Sequence, residues 1–185
     1  MANNTKKLLG DTLKTLMTKK SLKKITIREL VDAANVNRQT FYYHFHDIYD
    51  LLSWIYQVEA INDISNITYD TWPEEISLIV NYLYENKNFC YASYRSLGKE
   101  SLERFLLRVI DALSERVMSG VAESEKLSPE DRFFIIRLYG HSLSGSLQDW
   151  VASKFAISPE QMSHQIVRSI KGTLAQMVQR FLTNP

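Results

Sequence analysis

Four consecutive polar residues, Asn37-Arg38-Gln39-Thr40, open a short amphipathic segment that continues through Tyr42, Tyr43 and His44. Their chemistry is that of base and phosphate recognition. An arginine guanidinium matches the O6/N7 edge of guanine and a glutamine carboxamide matches the N6/N7 edge of adenine, each through two hydrogen bonds. Arg38 and Gln39 are therefore the candidate base readers, with Asn37 and Thr40 alongside. Thr26, Tyr42, Tyr43 and His44 carry hydroxyl and imidazole groups suited to phosphate oxygens. The charge distribution favours the same partner. Net charge over the whole chain is only +1, but residues 1–50 hold nine Lys/Arg against five Asp/Glu, and the remainder is net acidic. A basic N-terminal third is the electrostatic footprint of a phosphate-binding module.

Other chemistry finds little support. The four histidines are His44, His46, His141 and His164; the first two lie two apart at a helix end and diverge, so they cannot share a metal as an i, i+4 pair would. There is no Gly-rich phosphate loop, no G-x-S-x-G and no paired-carboxylate motif. The single cysteine, Cys90, excludes an internal disulfide and sits beside Phe89 and Tyr91 as a small core residue would. No catalytic residue, metal or cofactor is expected. The lysine-rich start leads into no unbroken apolar run, and no stretch approaches the roughly 18–20 apolar residues of a membrane span. No membrane partner is expected, and the expected location is the cytoplasm.

The polar row needs a rigid mount, and the residues before it provide one. Thr26 followed three residues later by Glu29 predicts a capping box, and Ile27, Leu30, Val31 and Ala34 form an apolar stripe at helical spacing. Asn35 can take the left-handed conformation that ends a helix. Asn37 is a plausible N-cap for a second helix, in which Phe41 and Phe45 face inward. Helix, sharp turn and short helix, with polar residues at the N-terminus of the second, is the layout of a helix-turn-helix.

These residues also resemble the N-terminal domain of TetR-family transcriptional regulators over roughly residues 5–60. The matching positions are Thr26, Ala34-Asn35-Val36, Asn37, Thr40, Tyr42, Phe45 and Leu51-Leu52. Asn35 replaces the family's usual glycine. Ile48 stands where a phosphate-binding lysine is usual, so that contact is not carried over. The run RQTFYYHF-x-D-x-YDLL-x-WIY is similar to the subgroup that includes the activator of dihydroxyacetone kinase operons. The resemblance implies a homodimer on double-stranded operator DNA, controlled by a small-molecule effector or a co-regulator protein. A helical protein-interaction module without sequence-specific DNA binding is the competing reading; the exposed row at 38–40, which has no packing role, speaks against it.

The rest of the chain reads as helix, giving an all-α fold of about nine helices. A three-helix head at 1–46 precedes a regulatory and dimerisation domain at 47–185. A helix from Asp47 to about Thr68 is the natural connector. Fourteen of the 21 aromatic residues fall between Phe41 and Tyr94. The resemblance implies that helices carrying Trp54, Trp72, Tyr82, Tyr91, Tyr94 and Phe105 surround an effector pocket. Two long helices, at about 129–152 and 159–182, are expected to close the chain and form the dimer. The first is apolar on two sides, more than one intramolecular neighbour can cover. The interface is expected at Gly140, Leu143, Ser144, Leu147, Trp150, Ile166, Ile170, Leu174 and Met177, in a four-helix two-fold arrangement burying roughly 2,000 Å² or more.

Overall fold

The computed structural model describes residues 2–61, 68–97 and 99–183. These form ten α-helices and two 3-10 turns, with no strand among the described residues. The head contains α1 (Ala2–Lys19), α2 (Ile27–Ala33) and α3 (Arg38–His44). Then come α4 (Ile48–Ile61), α5 (Trp72–Glu85), α6 (Lys87–Leu97), α7 (Lys99–Ser119), α8 (Pro129–Ala152), α9 (Pro159–Ile170) and α10 (Thr173–Thr183). The connector is helical as far as Ile61; its expected continuation falls largely outside the described residues.

Local chemistry sets the boundaries. Pro129 and Pro159 each occupy a first-turn position that needs no N–H, behind the serine caps Ser128 and Ser158. Ser158 and Gln161 complete a reciprocal capping box. The expected single C-terminal helix is two, because Lys171-Gly172 interrupts it and Gly172 takes φ +81°, a conformation open to glycine.

The head is not an island. α1 packs against α2, α4 and α6, and the buried residues of head and body form one continuous apolar cluster. Gly10 permits the approach: a Cβ there would lie 3.2 Å from Ile55 and 3.3 Å from Trp54. Lys14 lies over the Phe89 ring of α6, 5.5 Å from its centroid. A head this small gains from such support, since few of its residues can be fully buried internally.

In the body, α7 packs along α8 and α5 along α9. The α7–α8 packing is tight at Gly140, where a Cβ would lie 2.5 Å from Asp111 Oδ1. The other Asp111 oxygen accepts from Arg137 Nη1 at 2.7 Å, so the carboxylate is held in place. Gly140→Ala is therefore expected to cost about 1–3 kcal/mol of overpacking strain. Thermal melting should show the loss, while the folded variant keeps its affinity for DNA.

Candidate nucleic-acid interface

The helix-turn-helix is built from caps that interlock. Thr26 Oγ1 accepts from Glu29 N–H at 3.2 Å and starts α2. The Glu29 carboxylate pairs with Lys20, tying α2 to the end of α1. α2 ends in a Schellman turn: Val36 N–H donates to Val31 O at 3.0 Å, Asn35 N–H donates to Asp32 O at 3.2 Å, and Asn35 has φ 52°. The asparagine takes the left-handed conformation that glycine would take at less cost. Asn37 then caps α3, its Oδ1 accepting from Thr40 N at 2.7 Å and from Thr40 Oγ1 at 2.9 Å.

This cap divides the polar row by role. The side-chain oxygen of Asn37 is occupied, and the Thr40 hydroxyl is committed to it. Both therefore fix the start of α3. Arg38, Gln39, Tyr42 and Tyr43 lie together on the opposite, exposed side, with Tyr43 81% exposed. The inner side is anchored by Phe41 and Phe45, both buried, with ring centroids 6.0 Å apart. Thr26 is exposed at the start of α2, and its hydroxyl hydrogen remains available as a donor after the oxygen has accepted the cap bond. His44 is half-buried, its ring edge-on to Tyr43 with centroids 4.9 Å apart.

Two features were missed in the sequence. Arg38 Nη2 donates to the Tyr42 hydroxyl at 3.2 Å, and the guanidinium lies 5.5 Å from the ring centroid. The i, i+4 spacing is the signal that could have shown it. Lys6 of α1 lies over the Phe45 ring at 5.7 Å, bringing a cation beside the C-terminal end of α3. No sequence pattern joins positions 6 and 45. Ile48 is buried, in keeping with the lost phosphate contact, and Asp47 Oδ1 instead caps α4 by accepting from Asp50 N–H at 2.8 Å.

Tyr42 can accept from Arg38 and still donate its own proton to a phosphate. Tyr42→Phe should therefore weaken binding and also loosen Arg38. An exposed i, i+4 pair contributes roughly 0.2–0.5 kcal/mol, so the effect on base preference should be about twofold. Comparing the bound-sequence profiles of wild type and variant checks it.

The expected effector aromatics are spread over several packing clusters among the described residues. Trp54 packs on Phe45 at the head–body junction, ring centroids 5.8 Å apart. Phe105 stacks on Tyr56 at 4.5 Å, with Tyr82 at 6.4 Å from Phe105. Tyr91 faces Lys154, and Tyr94 is half-buried on α6. Of the six, Trp72 alone lines the narrow cleft that runs between α5, α7, α8 and the α9–α10 break.

The expected dimer residues are also redistributed. Gly140, Leu143, Ser144, Leu147, Trp150, Ile166 and Leu174 are buried by the chain's own helices, while Ile170 and Met177 are half-buried. Gly140 serves α7, as shown above; a Cβ on Gly145 or Gly172 would meet nothing within 4 Å. The free apolar side of α8 carries Phe134, 55% exposed, and Leu138, 42% exposed, with Phe133 nearby at 66%. Phe181 of α10 meets Phe134 with centroids 6.0 Å apart, extending that surface onto a second helix.

Comparison with known proteins agrees with this architecture. Residues 11–54 match the family model for bacterial regulatory proteins of the tetR family, and residues 70–172 match a transcriptional regulator C-terminal region of the same group. The chain belongs to the TetR family and is a DNA-binding transcriptional regulator.

Within that family it is similar to the HTH-type dhaKLM operon transcriptional activator DhaS of Lactococcus lactis subsp. lactis (strain IL1403). The two are 33% identical over 137 residues, 72% of each chain. The solved structure of a dihydroxyacetone kinase operon activator DhaS matches with TM-score 0.70 at 27% identity, covering 96% of this chain and 97% of that one. A tetR-family transcriptional regulator from Streptomyces coelicolor shares the fold at TM-score 0.54 and 14% identity, covering 98% of this chain and 90% of that chain.

Proposed function

We propose that the chain acts as a homodimer on a two-fold operator and activates an operon for dihydroxyacetone phosphorylation, under the control of an effector molecule or partner protein. The observation that carries DNA reading is the row Arg38, Gln39, Tyr42 and Tyr43, exposed on one side of a helix whose other side is clamped by buried Phe41 and Phe45. Arg38 and Gln39 read bases; Thr26, Tyr42, Tyr43 and His44 hold phosphates; Asn37 and Thr40 orient the helix. Lys6 adds a phosphate contact at the far end of α3. The division of labour falls near residue 46, with reading before it and control and dimerisation after it.

Dimerisation is supported by the exposed apolar side of α8, with Phe133, Phe134 and Leu138, and its extension onto α10. The bodies would meet there, each face against its own copy, and hold two heads at a fixed separation. The specific operon is supported by the 33% identity with the lactococcal activator. The experiment is a reporter assay with the promoter of a dihydroxyacetone kinase operon from the same genome. Supplying the protein should raise transcription. A fall would mark a repressor, and no change would refute the proposed target.

A further inference from the structure

The exposed stripe of α8 does not end at Leu138. Positions 134, 138, 141 and 145 fall within about 60° of one another around a helix of 3.6 residues per turn. Phe134 and Leu138 therefore continue into His141, which is exposed, and then into Gly145. A Cβ on Gly145 would meet nothing within 4 Å, so the stripe ends in a hollow where a facing helix can come close. Of these four residues His141 alone can change its charge.

The neighbours of His141 fix the form it takes. Arg137, one turn earlier, commits one arm of its guanidinium to α7, Nη1 donating to Asp111 Oδ2 at 2.7 Å. The other arm lies against the imidazole, Nη2 at 2.8 Å from His141 Nε2. A guanidinium has donors and no acceptor, so Nε2 must accept, and the ring is neutral with its hydrogen on Nδ1. A proton on Nε2 would set N–H against N–H and positive charge against positive charge. One carboxylate, Asp111, faces this pair from α7 and is already bound to Arg137; Arg108 stands one turn before it. α10 and the break before it border α8 through Phe181 against Phe134 and Thr173 against Tyr139, and they bring Arg180 and Lys171, both basic. The next carboxylate along α8 is Asp149, two turns beyond His141.

Where the stripe meets its own copy, both His141 rings lose water. A neutral imidazole bonded to Arg137 tolerates that loss; an imidazolium beside the same arginine does not. The free subunit therefore binds the proton more readily than the dimer does. By linkage, association is strongest above the range in which imidazole titrates and is lost as the pH falls through it.

We propose that His141 makes the α8 face a proton-sensitive self-association surface: held neutral by Arg137 it permits two copies to pair, and protonated it separates them. The inference rests on the dimer reading given above. Acidification then uncouples the two reading heads.

The test is the monomer–dimer constant of the full chain by sedimentation equilibrium at pH 7.5, 6.5 and 5.5 and constant ionic strength, with circular dichroism to follow the fold. The wild-type dissociation constant should rise at least tenfold from pH 7.5 to 5.5; two imidazoles titrating near pH 6.5 set a ceiling of about a hundredfold. His141→Gln keeps an acceptor for Arg137 and takes no proton, so its constants at the two pH values should differ less than threefold. His141→Lys is charged throughout and should dissociate at pH 7.5 at least as readily as wild type does at pH 5.5. A dimer whose constant changes less than threefold with pH overturns the switch and leaves the dimer reading standing. A His141→Gln protein with the wild-type pH dependence assigns it to another group and overturns the role of His141. Should acid unfold the chain, His141→Lys at pH 7.5 decides: a dimer as tight as that of wild type overturns the proposal. A wild-type chain that is monomeric at pH 7.5 and micromolar concentration overturns the dimer reading and the switch together.

Discussion

Replacing Arg38 with alanine is expected to broaden the recognised operator at one or two positions of each half-site. Arg38 is exposed at the first position of α3, and Asn37 fixes that helix start through two bonds to Thr40. The guanidinium is already ordered against Tyr42. A bidentate arginine–guanine pair discriminates by roughly 1–3 kcal/mol, about five- to 150-fold. The loss should fall on sequences with guanine at the read position and leave others nearly unchanged. Lys6→Ala should act differently, weakening all sequences alike and lowering the salt dependence by about one phosphate's worth. Competition binding with operators permuted one base at a time measures both. An Arg38→Ala profile identical to that of wild type would remove Arg38 from the set of base readers.

Leu138→Glu is expected to give a folded monomer. Leu138 is 42% exposed on the outer side of α8, one turn after Phe134. A carboxylate there costs the monomer little. In a two-fold interface it meets its own copy, and desolvating charges without partners costs several kcal/mol. The dimer dissociation constant should rise at least 100-fold, and operator affinity should fall with it because the two heads are no longer linked. Leu147→Glu is the instructive contrast. Leu147 is fully buried within the chain, so that variant should lose the fold itself, and its loss of binding would say nothing about the dimer. Light scattering, thermal melting and operator binding on the pair separate the two effects. A Leu138→Glu protein that remains dimeric at micromolar concentration would move the interface elsewhere.

What was legible in the sequence was local. The Thr26 cap, the left-handed Asn35 and the Asn37 cap each depend on groups within five residues, so residue type and spacing nearly determine them. Ser128-Pro129 and Ser158-Pro159 are of the same kind. The Gly172 break escaped detection because Ile170 and Leu174 keep their four-residue spacing across it; periodicity does not register a two-residue turn. Gly140 was legible as a point of close approach, but the approaching group, Asp111 of α7, is 29 positions away and was indistinguishable from a subunit partner. The same limit applies to α8. Two apolar sides could be read from the pattern, but which of them the chain itself covers depends on α7. For the aromatics between Phe41 and Tyr94, packing across α1, α6 and α7 decided their neighbours, and composition alone could not divide core from cavity.

The central claim is that two exposed reading helices act together as a two-fold, sequence-specific pair. Selection from random duplex DNA by the purified full-length protein, followed by sequencing of the bound pool, tests it most directly. The predicted result is an inverted repeat of two half-sites at one fixed spacing, with guanine and adenine positions that lose their constraint in Arg38→Ala and Gln39→Ala respectively. A bound pool with no enriched motif, or with a single unrepeated half-site, would contradict it.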